Sequence, residues 1–243
     1  MDRIQLNLDD YFFIVRSLVF AEIKKLRKTS DVFGDELQLS PESTLGQDPL
    51  AFSQDELTLV TGRVAGFFGL PSEKSSELAG LDSLGQWADF LLREIGSRPE
   101  VITFFTSGST GEPKPILREY YFLEQDALHL ADMLRGSKRV IGLVPPHHIY
   151  GFIYTILIPK VLGAGLEDYR FKRPSTIVKQ SRAGDCIVGF PHLWRLCSET
   201  RERFPAGVIG TTSTGPCPAD IIRSLKRQGL GMMVEIYGSS ESG

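Results

Sequence analysis

Val101-Ile-Thr-Phe-Phe-Thr-Ser-Gly-Ser-Thr-Gly-Glu-Pro-Lys114 sets the fold class of this 243-residue chain. It opens as an apolar run, Val101 to Phe105, and turns at Thr106 into nine residues crowded with hydroxyls, two glycines and a lysine. An apolar run of this length, ended by a Gly/Ser cluster, reads as a buried strand running into a loop. Glycine lets a backbone approach an anion closely. Backbone N–H groups, hydroxyls and a Lys charge can all be aimed at phosphate oxygens. Lys114 lies between Pro113 and Pro115, so no helix starts there. That excludes a Walker loop, in which Gly-Lys-Ser/Thr opens a helix.

Outward from this stretch the chain has two rhythms. From Pro99 onward short apolar runs alternate with helical patterns. The strand candidates are Val101–Thr106, Val140–Val144, Cys186–Gly189, Val208–Thr212 and Met232–Tyr237. The helix candidates are Tyr120–Leu134, Tyr150–Leu162, His192–Arg203 and Pro218–Gln228. This alternation predicts an α/β layer structure with a largely parallel sheet. Residues 1–95 read as helical instead. Asp9 or Asp10 is expected to cap a helix running to about Lys28, with Phe12, Phe13, Val15, Val19, Ile23 and Leu26 on a broad apolar face. The cations of Lys24-Lys25-Leu-Arg27-Lys28 suit its carboxyl end. A polar connector, Thr29 to Asp48, precedes helices expected at Gln54–Phe68 and Leu84–Ile95. The expected fold is therefore α/β, a helical N-terminal region (1–95) followed by a largely parallel α/β region (96–243).

Composition narrows the function. Hydrophobic residues make up 42% and charged residues 23%, and the net charge is −3, so no nucleic-acid or anionic-membrane surface is expected. Cys186, Cys197 and Cys217 have no metal-type spacing and fit a reduced, cytoplasmic compartment. The amino terminus lacks the basic start and cleavage site of a signal peptide. The apolar run Tyr11 to Ala21 is interrupted by Arg16 and is too short to cross a bilayer.

Parallel sheets bind ligands at the carboxyl ends of their strands. Besides the Thr106–Lys114 loop, three distinctive segments follow strand candidates: Pro145-Pro-His-His148, Ser213-Thr-Gly-Pro216 and Gly238-Ser-Ser-Glu241. All four loops are expected at one sheet edge. Taken alone, His148 reads as a loop histidine pairing with backbone, and Thr212–Pro218 as a strand-to-helix turn with Pro218 at the helix start.

Taken together, these segments resemble the adenylate-forming enzymes, which include acyl-CoA synthetases, aryl-CoA ligases, luciferases and peptide-synthetase adenylation domains. Thr106-Ser-Gly-Ser-Thr-Gly-Glu-Pro-Lys114 resembles their phosphate-loop signature at every position. Pro145 to Gly151 matches their Pro-x-x-His-x-x-Gly segment. Thr212-Ser-Thr-Gly-Pro-Cys-Pro218 resembles the small-residue segment beside the adenine ring. Glu235-Ile-Tyr-Gly-Ser-Ser-Glu241 resembles their Tyr-Gly-x-Thr/Ser-Glu segment. The wording His148-Ile-Tyr-Gly151 looks most like ligases of aryl or arylacrylic acids.

The resemblance implies a two-step reaction, in which a carboxylic acid is activated by ATP to an acyl-adenylate and then passed to a thiol of CoA or an acyl-carrier protein. It implies that Thr106, Ser107, Gly108, Ser109, Thr110, Gly111 and Lys114 hold the β- and γ-phosphates. Ser213, Thr214 and Gly215 would lie against adenine, with Tyr237, Gly238 and Ser239 completing the nucleotide site. Ser240 would bond the α-phosphate, and Glu241 would hold Mg²⁺. His148 would sit beside the reacting carboxylate, and Tyr150 and Gly151 would wall the acyl pocket.

Family members carry a ribose-binding Asp, a hinge and a lysine-bearing mobile domain beyond the position of Glu241. This sequence stops at Gly243. The expectation is an N-terminal part of a ligase, incomplete at the carboxyl end or completed by a second polypeptide, and slow or inactive alone. A different class of function is a non-catalytic remnant that binds a nucleotide or a partner.

Gly80-Leu-Asp-Ser-Leu84 also resembles the pantetheine-bearing serine site of acyl-carrier proteins, and segment 45–95 resembles a carrier-like helical bundle. Too few residues follow Ser83 for the remaining carrier helices. In the alternative alignment the serine falls near Ser53, whose Phe52-Ser-Gln-Asp-Glu context departs from the carrier pattern. Neither serine is expected to carry pantetheine, and Ser83 is expected to be a helix cap.

Overall fold

The computed structural model describes residues 3–28, 39–106 and 114–238. The chain divides into two compact units, Met1–Leu123 and Glu124–Gly243.

The first unit begins with α1 (Leu8–Leu26). Its cap is Asn7, not Asp9 or Asp10. The Asn7 side chain accepts the Asp10 N–H at 3.0 Å and the Asp10 carboxylate accepts the Asn7 N–H at 2.7 Å, a reciprocal capping box. Asp10 is thus the return partner one turn into the helix. The helix ends at Leu26, with Lys24 and Lys25 in its last turn. Next come α2 (Gln54–Phe67), α3 (Ser72–Ala79) and α4 (Leu84–Ile95). Ser53 caps α2 through a second capping box with Glu56, and Ser83 caps α4 by accepting the Gln86 N–H at 3.3 Å. Both serines are therefore placed as caps. The Arg27 guanidinium reaches both Glu56 carboxylate oxygens, at 2.8 and 3.1 Å, and with the Ser53 N–H it holds that carboxyl down at about 2. Helix α1 packs on α4 and α2, burying Tyr11, Ile14, Leu18 and Trp87.

Two strands complete this unit, β1 (Val101–Thr106) and β2 (Lys114–Glu119). They pair antiparallel, Val101 opposite Glu119 and Thr106 opposite Lys114. This corrects the expectation that Val101–Thr106 belongs to the parallel sheet. A strand can return directly after a short connector only antiparallel to its predecessor.

The second unit is the α/β layer. Helix α5 (Tyr120–Ala131) spans the division between the units and ends in a 3₁₀ turn at Asp132–Leu134. Then follow β3 (Arg139–Gly142), α6 (Ile149–Gly151), a π-helical stretch Phe152–Leu157 and α7 (Ile158–Leu162). The alternation continues with β4 (Gly165–Asp168), α8 (Pro174–Gln180), β5 (Asp185–Gly189), α9 (Pro191–Ser198), β6 (Ile209–Thr212), α10 (Ala219–Arg227) and β7 (Met232–Glu235). The sheet order is β4-β3-β5-β6-β7, with every pair parallel.

Both faces of this sheet are covered. Ile141 and Ile187 point into a core with Ile177, Trp194, Ile221 and Leu225 from α8, α9 and α10. On the opposite face Gly142 lies against Thr155 of the π-helical stretch. Burial on two sides explains why the central strands read as short unbroken apolar runs. The chain leaves β3 toward β4 and then returns to β5 on the other side of β3. The carboxyl ends of β3 and β5 therefore flank the point where strand order reverses, where such sheets form a ligand crevice.

Candidate active site

The segment after β3 lies at that reversal. Leu143 still bonds across to the Val188 carbonyl at 3.0 Å, and the Pro145-Pro146 turn then carries the chain away from the sheet. His148 caps α6 with extended backbone, and its side chain is exposed. Its N–H donates to the Pro145 carbonyl at 3.2 Å, its carbonyl accepts the Phe152 N–H at 2.7 Å, and its ring lies 4.6 Å from that of His147. Gly151 explains the motif spacing. A Cβ there would fall on the Pro145 carbonyl, so only glycine lets the helix start fold back over the turn that presents His148.

Tyr150 is half-buried, and its hydroxyl shares a 2.6 Å hydrogen bond with the Thr211 hydroxyl on β6. Burial pushes its pKa well up, so it is a neutral phenol at neutral pH. Its ring lies 4.8 Å from that of Tyr154, one turn on. The Tyr154 hydroxyl is buried, and it has no hydrogen-bond partner among the described residues. Tyr154 lies within the π-helical stretch, where the Thr155 hydroxyl donates to the Gly151 carbonyl at 2.7 Å. Such π segments recur at functional sites.

The loops after β6 and β7 are tied to one another. The Ser213 hydroxyl donates to the Ile236 carbonyl at 3.1 Å, and the Glu235 carboxylate accepts the Cys217 N–H at 3.0 Å. Thr214 holds a left-handed backbone, φ 73°, and space is open where a Gly215 side chain would project. The result is a low wall of small residues. Strand β7 ends at Glu235, before Tyr237, although the Ile236 N–H still reaches the Thr212 carbonyl at 2.8 Å. The Tyr237 ring is fully exposed and Gly238 is exposed beside it.

Three of the four expected loops thus leave the carboxyl edge of the parallel sheet, after β3, β6 and β7. The fourth, Thr106 to Lys114, belongs to the antiparallel hairpin, so the expectation of four loops on one sheet edge fails. Thr106 and the exposed Lys114 face each other across the hairpin ladder. Ser107, Gly108, Ser109, Thr110 and Gly111, and likewise Ser239, Ser240 and Glu241, lie outside the described residues. Among the described residues no cluster of His, Cys, Asp and Glu is arranged to hold a metal ion. The three cysteines are free and buried, and burial pushes the Cys186 thiol up to about 12, which leaves it a poor nucleophile. No described helix is long and apolar enough to cross a membrane.

Residues 72–243 match the family model described as AMP-binding enzyme. The chain belongs to that family. A 4-coumarate–CoA ligase from Cereibacter sphaeroides is 36% identical over 213 residues, 84% of this chain and 50% of that protein. A 4-coumarate–CoA ligase from Rhodobacter capsulatus is 32% identical over 243 residues, 93% of this chain and 61% of that protein. The chain thus spans about half the length of the curated relatives it matches. Among solved structures, ATP-bound MatB from Rhodopseudomonas palustris superposes with a TM-score of 0.56 at 15% identity, covering 94% of this chain and 54% of MatB. That likeness supports the α/β fold of the AMP-binding family.

Two contributors escaped the sequence reading. Tyr154 was within reach, because four-residue spacing puts it on the helix face of Tyr150. Thr211 was not, because its pairing with Tyr150 spans 61 residues and leaves no local pattern.

Proposed function

We propose that this chain serves the ATP-dependent activation of a carboxylic acid, aryl or arylacrylic in type, to an acyl-adenylate, with transfer of the acyl group to the thiol of CoA or of a carrier protein. The observation that supports this most is that His148, Ser213–Gly215 and Tyr237 lie in the segments that follow three parallel strands, with His148 in the segment at the reversal of strand order. The CoA-ligase relatives point the same way.

In the first step a carboxylate oxygen attacks the α-phosphorus of ATP, the bond to the bridging oxygen breaks, and pyrophosphate leaves. In the second a thiol sulfur takes the acyl carbon and AMP leaves. Two anions must first be brought together, which is mainly a positioning task. His148, exposed on a turn locked by Gly151, would meet the carboxylate. The neutral phenol of Tyr150 lines the acyl side. Small residues Ser213 to Gly215 admit a flat base, and the free ring of Tyr237 is available to stack on it. Thr106, Ser107, Gly108, Ser109, Thr110, Gly111 and Lys114 would hold the β- and γ-phosphates, and Ser240 the α-phosphate. Glu241 would hold Mg²⁺, a cation that characteristically takes one or two carboxylates plus substrate phosphates. Mg²⁺ supplies charge neutralisation on the phosphates.

The test is ATP–pyrophosphate exchange by the 243-residue protein with Mg²⁺, across 4-coumarate, cinnamate, benzoates and short fatty acids. Slow exchange that depends on an aryl acid, and that falls further in His148→Ala and Lys114→Ala, is the expected result. No ATP binding and no exchange with any acid overturns the proposal. Because the chain spans about half of its relatives, one further reading is carried: ATP binding without exchange assigns it as a nucleotide- or partner-binding module.

A further inference from the structure

Arg63, on α2, places its guanidinium carbon 3.3 Å from the centroid of the Phe105 ring. Its Nε lies 3.1 Å from the Glu22 carboxylate on α1, and the two side chains are only 21% and 15% exposed. Burial lowers the Arg63 pKa and Glu22 opposes that, so the guanidinium stays charged at neutral pH. A cation this close to a ring face, and partly desolvated, belongs to the stronger class of cation–π contacts.

Phe105 is the residue before Thr106 in β1, and across the ladder it faces Pro115, next to Lys114. A proline gives no N–H to that ladder. An isolated two-stranded ribbon is marginally stable in water, so its end needs support from outside. Helix α2 gives that support through three neighbouring positions. Phe67 meets Phe104 edge-on at 5.7 Å, the Phe105 ring lies 3.8 Å from where a Gly66 Cβ would stand, and Arg63 covers the ring face. Residues 63, 66 and 67 share one helix face by their spacing of three and four.

We infer that Arg63, braced by Glu22, is a positioning residue for the phosphate-binding end of this hairpin. It fixes Phe105, and through Phe105 the facing pair Thr106 and Lys114. The inference rests on the proposed function, in which those two residues hold ATP phosphates.

The experiment is titration calorimetry of MgATP, and separately of adenosine, on the 243-residue protein. The variants are Arg63→Met, Arg63→Lys and Phe105→Leu, with the exposed Arg93→Met as a control. Arg63→Met is expected to weaken MgATP binding about tenfold, in keeping with a partly buried cation–π contact, and to leave adenosine binding unchanged. Arg63→Lys keeps the charge but loses the flat stack, so it recovers part of the loss. Phe105→Leu leaves the ion pair intact and is expected to reproduce the loss, which carries the test if Arg63→Met fails to fold. Unchanged MgATP affinity in both Arg63→Met and Phe105→Leu, with a binding-competent wild type, overturns the inference alone. Equal losses for MgATP and adenosine also overturn it, because they report general damage. A wild type that binds no MgATP overturns the inference together with the proposed function.

Discussion

At the amino edge of the five-stranded sheet, Arg139 is 8% exposed and holds Asp185 by hydrogen bonds of 2.9 and 2.6 Å and Glu167 by one of 2.7 Å. A fourth bond, of 3.1 Å, goes to the Gln180 carbonyl, and Asp185 also accepts the Arg182 N–H at 2.6 Å. At the carboxyl edge, His148 and Gly238 are exposed and the Tyr237 ring stands wholly in solvent. One edge pairs a buried cation with the buried Asp185 and the partly exposed Glu167, and so ties β3, β4 and β5 together. The other keeps its polar and aromatic groups accessible, on loops anchored by backbone and hydroxyl contacts. The difference separates what holds the sheet from what the sheet presents, as expected where loops carry chemistry on a rigid scaffold.

The largest effect should come from breaking the amino edge. Arg139→Met leaves Asp185, 2% exposed, without its cation, and is expected to cost about 3–5 kcal/mol in urea unfolding, the usual range for half of a buried pair. A loss below about 1 kcal/mol would place this network among exposed ion pairs and dissolve the contrast. His148→Ala probes the opposite edge. It is expected to leave stability within about 0.5 kcal/mol, as for an exposed position. Its pyrophosphate exchange should fall about 100-fold, an effect typical of a misplaced reacting group. Equal damage to stability would assign His148 to the scaffold.

Gly151→Ala sits between these two. Its added Cβ meets the Pro145 carbonyl, so a loss of about 1–3 kcal/mol in thermal unfolding is expected, as for overpacking, accompanied by a raised KM for the acid. The smallest effect belongs to Glu167. Hydrogen bonds from Arg139 first, and then Tyr169, hold its carboxyl below its ordinary range. A depressed folded value means that the stabilisation is present above the unfolded pKa, about 4.3, and is lost as pH falls through the lower folded value. Its side chain is 41% exposed, so Glu167→Gln should cost under about 1 kcal/mol at pH 7. The variant's acid-unfolding curve should also be flatter below that range. An unchanged acid limb would remove Glu167 from the network.

Legibility in the sequence followed burial. Beyond the charges that open β3 and β5, Arg139 and Asp185, strands β3, β5 and β6 carry unbroken apolar or small residues because neighbours cover them on both faces, and their positions were read within a few residues. Strand β4 was missed. It lies at the sheet edge and includes Glu167 and Asp168, so no apolar run marks it. Strand β2 was hidden by Pro115, which reads as a breaker but is tolerated at an edge. Helices α3 and α8 are short and bury only one or two side chains, too few to show a period. In the candidate site, His148 and Gly151 were singled out only through the resemblance of Pro145–Gly151 to a family segment, since His148 alone reads as a loop histidine. The Tyr150–Thr211 bond and the Arg63–Phe105 stack were not, because each joins residues distant in the chain.

By itself the sequence determined the alternation of strands and helices from Pro99 onward, the cap at Ser83, and which residues follow the strands. These depend on side-chain periodicity and backbone conformation over a few residues, so local order suffices. The tertiary structure decided that β1 and β2 form a separate hairpin, that β3 lies between β4 and β5, and that His148 therefore stands at the reversal of strand order. Those outcomes depend on which apolar faces can be buried together and which buried charges find partners, as Arg139 and Asp185 do across 46 residues. Pairings of that range are settled only when the whole layer packs, because loop closure must be offset by burial that no local segment supplies.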